Sequence, residues 1–412
     1  MKLFTKNTIL YDYILFGLYL FYTGMMLHDY VFIEAKWTRI ISMCGIGFVS
    51  WGFLKLHKTF QGCDFEAIAL LRILFLVCFV NIILGILLYS GQVNVGFMIF
   101  NPQYFWIYFV PFFFLLPCDV CNIRQLFRWS LVYVLSALLF SLYCFNDFFY
   151  NADFLRLTML SFDPYIINRP QEPAALMTPI AAFLLLFPHF QKRWKLIVVI
   201  TAVLALGAPM MMGRRSASAI FLGYLIIPFI FYLFGRRKRL LFFGIMIIIF
   251  ISMISIRGVE NLVENYFPVL TDRLDQDTRS GTEADFYKDM DGVADWTFGR
   301  GMHGTYRSPA VADTDRLNRY VIETGYLNII LHGGLLMLIP YVLLLLFASY
   351  KGFFHSNNMY VKGCAAYVLY HLIILYPDGT PKFTLEYLIL FAMIRICLSM
   401  DWRDKSGVHI VR

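Results

Sequence analysis

The chain has 412 residues, of which 59% are hydrophobic, 18% aromatic and only 15% charged. A water-soluble chain of this size needs a charged surface, so this balance excludes an ordinary soluble domain and predicts an all-α integral membrane protein. The formal net charge of +8 is then not a nucleic-acid signal, because Lys and Arg of a polytopic protein gather on its cytoplasmic side and beside anionic lipid.

The N-terminal MKLFTKNTIL runs into an apolar segment with no small-residue cleavage site. It reads as an uncleaved first transmembrane helix rather than a removable signal. A bilayer-crossing helix needs about 20 mostly apolar residues. Twelve runs meet or approach that length, at 9–27, 40–54, 68–90, 103–117, 129–146, 173–188, 196–212, 217–234, 240–256, 320–348, 361–376 and 384–400. With the N-terminus cytoplasmic, the cytoplasmic segments carry eighteen Lys and Arg and the short external loops seven. That asymmetry supports about twelve helices with both termini cytoplasmic. Cys44, Cys78, Cys144, Cys364 and Cys397 lie in apolar runs as small hydrophobes, and the lone CxxC, Cys118 and Cys121, lacks the second pair of a zinc site.

The chain divides into helices one to nine (1–257), a large periplasmic loop (258–319) and helices ten to twelve with a cytoplasmic tail (320–412). The loop holds twelve of the 27 acidic residues, a compositional break that predicts a small, partly helical folded element. Two other external features are the loop 147–172, ending in INRPQEP, and the turn GRRSAS at 213–218.

Arg214 and Arg215 stand where the charge rule disfavours them. A guanidinium there donates two parallel hydrogen bonds to a phosphate or diphosphate, or snorkels to lipid headgroups. Glu172, after Arg169 and between Pro170 and Pro173, either caps the sixth helix or serves as a base facing an external cavity. In the long loop, Arg279 lies in DTRSGTEADFY and Arg300 in DWTFGRGMHGTYRS. Glycines at 299, 301 and 304 allow backbone N–H groups close to a ligand, and His303 is a further candidate for the chemistry. Glu323 opens the tenth helix, where an acid is costly unless it works or pairs with a loop arginine. His332, deeper in that helix, is expected to pack. No metal-ligand, Walker or nucleophile-elbow motif occurs, so a metal-independent reaction without cofactor is expected.

In this order these pieces resemble the O-antigen polymerase and O-antigen ligase superfamily of bacterial envelope enzymes. GRRSA is similar to the family element that opens a helix after an arginine. RSGTEADFY followed by DWTFGRGMHGTY resembles its loop pattern, ETGYLNIILHGGLL the stretch entering the next helix, and INRPQEPAALMTPI the Glu-Pro element of many polymerases. The resemblance implies a glycan on undecaprenyl diphosphate as donor, attacked at sugar C1 by an acceptor hydroxyl at the periplasmic face of the inner membrane. It implies Arg214, Arg215, Arg279, Arg300 and Arg169 on the diphosphate or glycan, and Glu323, Glu172, Arg215 or His303 in the chemistry. Flippase and chain-length regulator proteins are the implied partners. Ligases of the family carry a histidine where this chain has Glu323, which favours a polymerase. The alternatives are a ligase acting on lipid A–core or protein and, more distantly, a lipid-linked sugar flippase.

Overall fold

The computed structural model describes residues 6–31, 34–57, 63–87, 95–143, 178–180, 182–184, 190, 194–202, 222–224, 279–309, 318–376 and 380–404. Of the expected spans, 240–256 lies outside these residues, and 173–188, 196–212 and 217–234 are described only in fragments. The chain forms two compact units, one of Met1–Leu126 with Asp277–Val408 and one of Phe127–Gln276 with His409–Arg412.

The first unit is a helical membrane-protein bundle. In chain order it contains α1 (Lys6–Val31), α2 (Ala35–Leu56), α3 (Phe65–Leu87), the short α4 (Val95–Phe100) and the start of α5 (Val120–Tyr143). Then come α6 (Ser280–Asp289), α7 (Val293–Phe298), β1 (Tyr306–Arg307), β2 (Asn318–Arg319), α8 (Gly325–Phe354), α9 (Met359–Ile374), α10 (Leu385–Leu398) and α11 (Met400–Asp404). Among the described residues, five helices are long and apolar enough to cross a membrane: α1, α2, α3, α5 and α8.

α1 and α2 form a hairpin whose backbones touch through glycine. A Cβ on Gly17 would stand 2.6 Å from the Gly45 carbonyl oxygen, and one on Gly45 2.5 Å from that of Gly17. Lipid tails are as apolar as leucine, so membrane helices associate by this close small-residue packing. Ser42 Oγ adds a hydrogen bond to the Phe21 carbonyl, at 3.2 Å.

The apolar run 103–117 does not become the expected α-helical span. It forms two 3-10 helices, Phe105–Tyr108 and Val110–Leu115, with Pro111 inside the second. Pro102, Pro111 and Pro117 remove backbone donors and clash with a continuous helix. Irregular backbone survives among membrane helices only where protein satisfies it. Here Arg395 donates to the Phe114 carbonyl at 2.7 Å, and Phe383 N–H to that of Pro102 at 3.0 Å.

α10 is buried on every side from Tyr387 to Leu398 and packs against α8, α9 and the second 3-10 helix. Such an all-round apolar helix belongs at a bundle centre. At one end of this unit Asp64, just before α3, accepts from Arg403 of α11 at 2.9 Å and lies 3.7 Å from Lys351 of α8. The loop elements α6, α7, β1 and β2 gather at the other end of α8. In the second unit, Phe127 meets the rings of Phe183, Phe190 and Trp194.

Candidate functional site

The loop expected at 258–319 has a folded part that packs on the first turns of α8. In α6, Thr282, Asp285 and Phe286 are buried, the i, i+3, i+4 spacing of one helical face. Phe286 and Met290 join Tyr306, Ile322, Leu327, Ile330 and Leu331 in a small core, with Trp296 against it. β1 and β2 pair antiparallel, Tyr306 opposite Arg319. Ser308 donates to the buried Asp285 carboxylate at 3.1 Å.

α8 is not one straight helix. Gly334 has φ +63° and ψ −170°, a conformation open to glycine and strained for other residues. The break lies where the turn 297–304 meets the helix. Gly299, itself at φ +73°, fits so tightly that a Cβ would stand 2.6 Å from the Ile330 carbonyl and 2.7 Å from Gly334 N. Arg300 N–H donates to the Leu331 carbonyl at 2.7 Å, using one of the acceptors the broken helix exposes. Two sequence motifs therefore interlock, the glycines of DWTFGRGMHGTYRS and the Gly-Gly of ILHGGLL.

The polar residues around this joint fall into two groups. In the first, Arg300 is taken up by the loop itself. Its Nε and Nη2 reach Asp295 Oδ2 at 3.0 and 2.7 Å, Nη1 reaches Asp289 and the Thr305 carbonyl, and Nη2 reaches the Asp289 carbonyl at 2.5 Å. Burial works against the guanidinium charge, but the hydrogen bonds to Asp295 and Asp289 outweigh it and raise the pKa above the ordinary arginine value. His303 Nε2 meets the Gly85 carbonyl of α3 at 2.9 Å. His332 has Nδ1 3.0 Å from the Gly301 carbonyl and Nε2 3.1 Å from that of Tyr320, and its own carbonyl accepts from Tyr108 OH at 2.8 Å. The expected packing histidine is thus buried between the loop turn, the segment before α8 and the 3-10 region, and its one imidazole N–H donates to either the Gly301 or the Tyr320 carbonyl.

The second group lies at the head of α8. Glu323 is exposed, and its Oε2 stands 3.4 Å from Arg279 Nε. Thr324, the residue preceding α8, donates through Oγ1 to Glu283 of α6. Asn328 Oδ1 accepts from Ile322 N–H at 3.2 Å, which fixes the turn carrying Glu323. Arg319 lies beside the buried Tyr306, whose phenol burial raises above the tyrosine range. Arg319 opposes that rise, and the charges of Glu323 and Asp285 add to it. Arg319 also lies within electrostatic reach of Tyr104, and it pairs with no carboxylate among the described residues.

The structure therefore joins Arg279 to Glu323, the loop arginine to the acid that precedes α8. Arg300 and His303 sit apart, since Arg300 binds α8 at Leu331, six residues and about 9 Å along the axis from the first helical residue, Gly325, which Glu323 precedes. Glu172, Arg169, Arg214 and Arg215 lie outside the described residues. Sequence reasoning did not single out Arg319; its place in NRYVIETGY, four residues before Glu323, was the available signal. Compared with known proteins, the chain matches no family model, no curated protein and no solved structure.

Proposed function

We propose that this chain is a membrane glycosyltransferase that joins oligosaccharide repeat units carried on undecaprenyl diphosphate, at the periplasmic face of the bacterial inner membrane. In this reading the chain crosses the bilayer twelve times with both ends cytoplasmic. The observation that carries it is the group at the head of α8, where Arg279 and Arg319 accompany an exposed glutamate, Glu323.

The reaction joins an acceptor hydroxyl oxygen to C1 of the donor sugar. The bond from C1 to the diphosphate oxygen breaks, and the lipid diphosphate leaves with the electron pair. The hydroxyl proton passes to a carboxylate, which this reading assigns to Glu323 in preference to Glu172. Arg279 and Arg319, with Arg214 and Arg215, carry the charge that grows on the leaving group. Arg300 acts as a positioning residue, because its donors already serve Asp289, Asp295 and two carbonyls.

The Arg279–Glu323 contact fits this chemistry. A solvent-exposed pair of this kind contributes about 1 kcal/mol or less. A diphosphate takes charge-assisted bonds from the same guanidinium and displaces the carboxylate, which then faces the acceptor hydroxyl. In a strain lacking the native chain, Arg319→Ala and Glu323→Gln should each be inserted normally yet leave only single repeat units on the core. Long polymer from both variants would refute the reading, and loss of all attached glycan would mark a ligase instead.

A further inference from the structure

α7 has its polarity reversed for a helix in water. Its one charged side chain, Asp295, turns inward onto Arg300. Its outward face carries Val293, 84% exposed, and Phe298, 61% exposed, with Ala294 also exposed. Thr297 on that face spends its hydroxyl on the Val293 carbonyl, at 2.8 Å. Beside it Tyr287, 54% exposed, stacks on Trp296 with ring centroids 6.0 Å apart and planes 13° apart. Large exposed apolar groups gathered in one place mark a surface that something covers.

The depth of α7 identifies what covers it. Its C-terminal Gly299 is wedged against Gly334 at the break in α8. From Gly325 to Gly334 no residue of α8 is exposed, whereas Leu335, Leu336, Ile339, Leu343, Leu346, Tyr350 and Phe354 form an exposed apolar stripe beyond it. Leu335 to Phe354 is twenty residues, about 30 Å of helix and one hydrocarbon thickness. A second helix sets the same level. Met302, four residues after Phe298, would collide with a Cβ on Gly85, and around Gly85 α3 exposes Leu84, Ile86 and Leu87 at that same level. The exposed stripe of α8 stops where α7 lies, and the apolar surface of α3 reaches the same level.

We infer that α7 is an interfacial helix that seats Val293 and Phe298 in the leaflet on the loop side, at the boundary of headgroups and acyl chains. Tyr287 and Trp296 are the aromatic pair that such a level favours. The first turns of α8, before Gly334, then stand outside the hydrocarbon and hold Glu323 above the acyl chains. The inference does not depend on the chemistry proposed above.

The test places an environment-sensitive fluorescent amino acid at Val293, and separately at Phe298, by amber suppression in the full chain. A third position, the exposed Asn318 of β2, is the reference for water. Each protein is reconstituted in phosphatidylethanolamine–phosphatidylglycerol vesicles with or without bromine on the acyl chains. Blue-shifted emission quenched by brominated lipid at 293 and 298, but not at 318, is the expected result. Water-like emission at 293 and 298 would overturn the inference. Blue-shifted emission without quenching would overturn it equally, because protein rather than lipid would then cover the face. Two label positions keep a local misfolding of one variant from deciding the outcome.

Discussion

Replacing Gly334 by alanine should loosen the turn 297–304 from α8. The backbone there, at φ +63° and ψ −170°, is outside the range that alanine occupies without strain, which costs about 1–3 kcal/mol. The new Cβ would also meet backbone, the Thr297 carbonyl and Gly299 N at 2.6 Å, and backbone cannot rotate away. Overpacking of this kind adds about 1–3 kcal/mol, so the docked state loses roughly 2–6 kcal/mol in all. Since about 1.4 kcal/mol is a factor of ten, the turn should open at least tenfold more often. The Arg300 amide reports on it, because its hydrogen bond to the Leu331 carbonyl exists only when the turn is docked. Hydrogen exchange at that amide should speed up at least tenfold in Gly334→Ala, by the same conversion. Gly47→Ala is the control: a Cβ at Gly47 meets nothing within 4 Å, and Arg300 exchange should not change. Wild-type protection in Gly334→Ala would refute the interlock.

Three further predictions concern polar contacts. Arg300→Lys should make the segment 279–309 sensitive to protease, because one ammonium cannot serve both Asp289 and Asp295 in the fork that Arg300 uses. Arg403→Ala should lower the folded yield in detergent, because the buried Asp64 keeps only the longer contact to Lys351, at a cost below the roughly 3–5 kcal/mol of a fully uncompensated charge; the double variant Asp64→Asn, Arg403→Gln should recover part of it. Tyr306 has a folded pKa raised by burial, so its contribution is complete below the ordinary tyrosine value of about 10 and is lost as pH rises from there toward the folded value. Protease resistance of the loop should therefore fall above about pH 10 in the wild type and fall less in Tyr306→Phe, a comparison that isolates this tyrosine from the other twenty-five.

Much of the bundle was legible because apolar run length is a local property. α1, α2, α3, α8, α9 and α10 appear within a few residues of the runs that announced them. The run 103–117 misled because its hydropathy outweighed its prolines, whose effect is on backbone donors rather than on apolarity. The break at Gly334 was hidden for a related reason. His332-Gly333-Gly334 keeps a helical apolar pattern, and only the approach of Gly299 and Thr297 requires the kink. At the site, the pairing of Glu323 with a loop arginine was readable from a costly acid near an apolar run. The capture of Arg300 was not, since Asp289 and Asp295 are brought to it by the fold of α6 and α7. Arg319 was overlooked because its significance comes from β pairing with Tyr306, a contact across thirteen residues of sequence.

Polymer formation by the purified chain, in vesicles with a defined undecaprenyl-diphosphate repeat unit as sole substrate, decides whether this chain is a polymerase. The wild type should give a ladder of products, lost in Glu323→Gln and in Arg279→Ala combined with Arg319→Ala, with all three proteins equally folded. No product from folded wild-type chain, or an unchanged ladder from those variants, would contradict it.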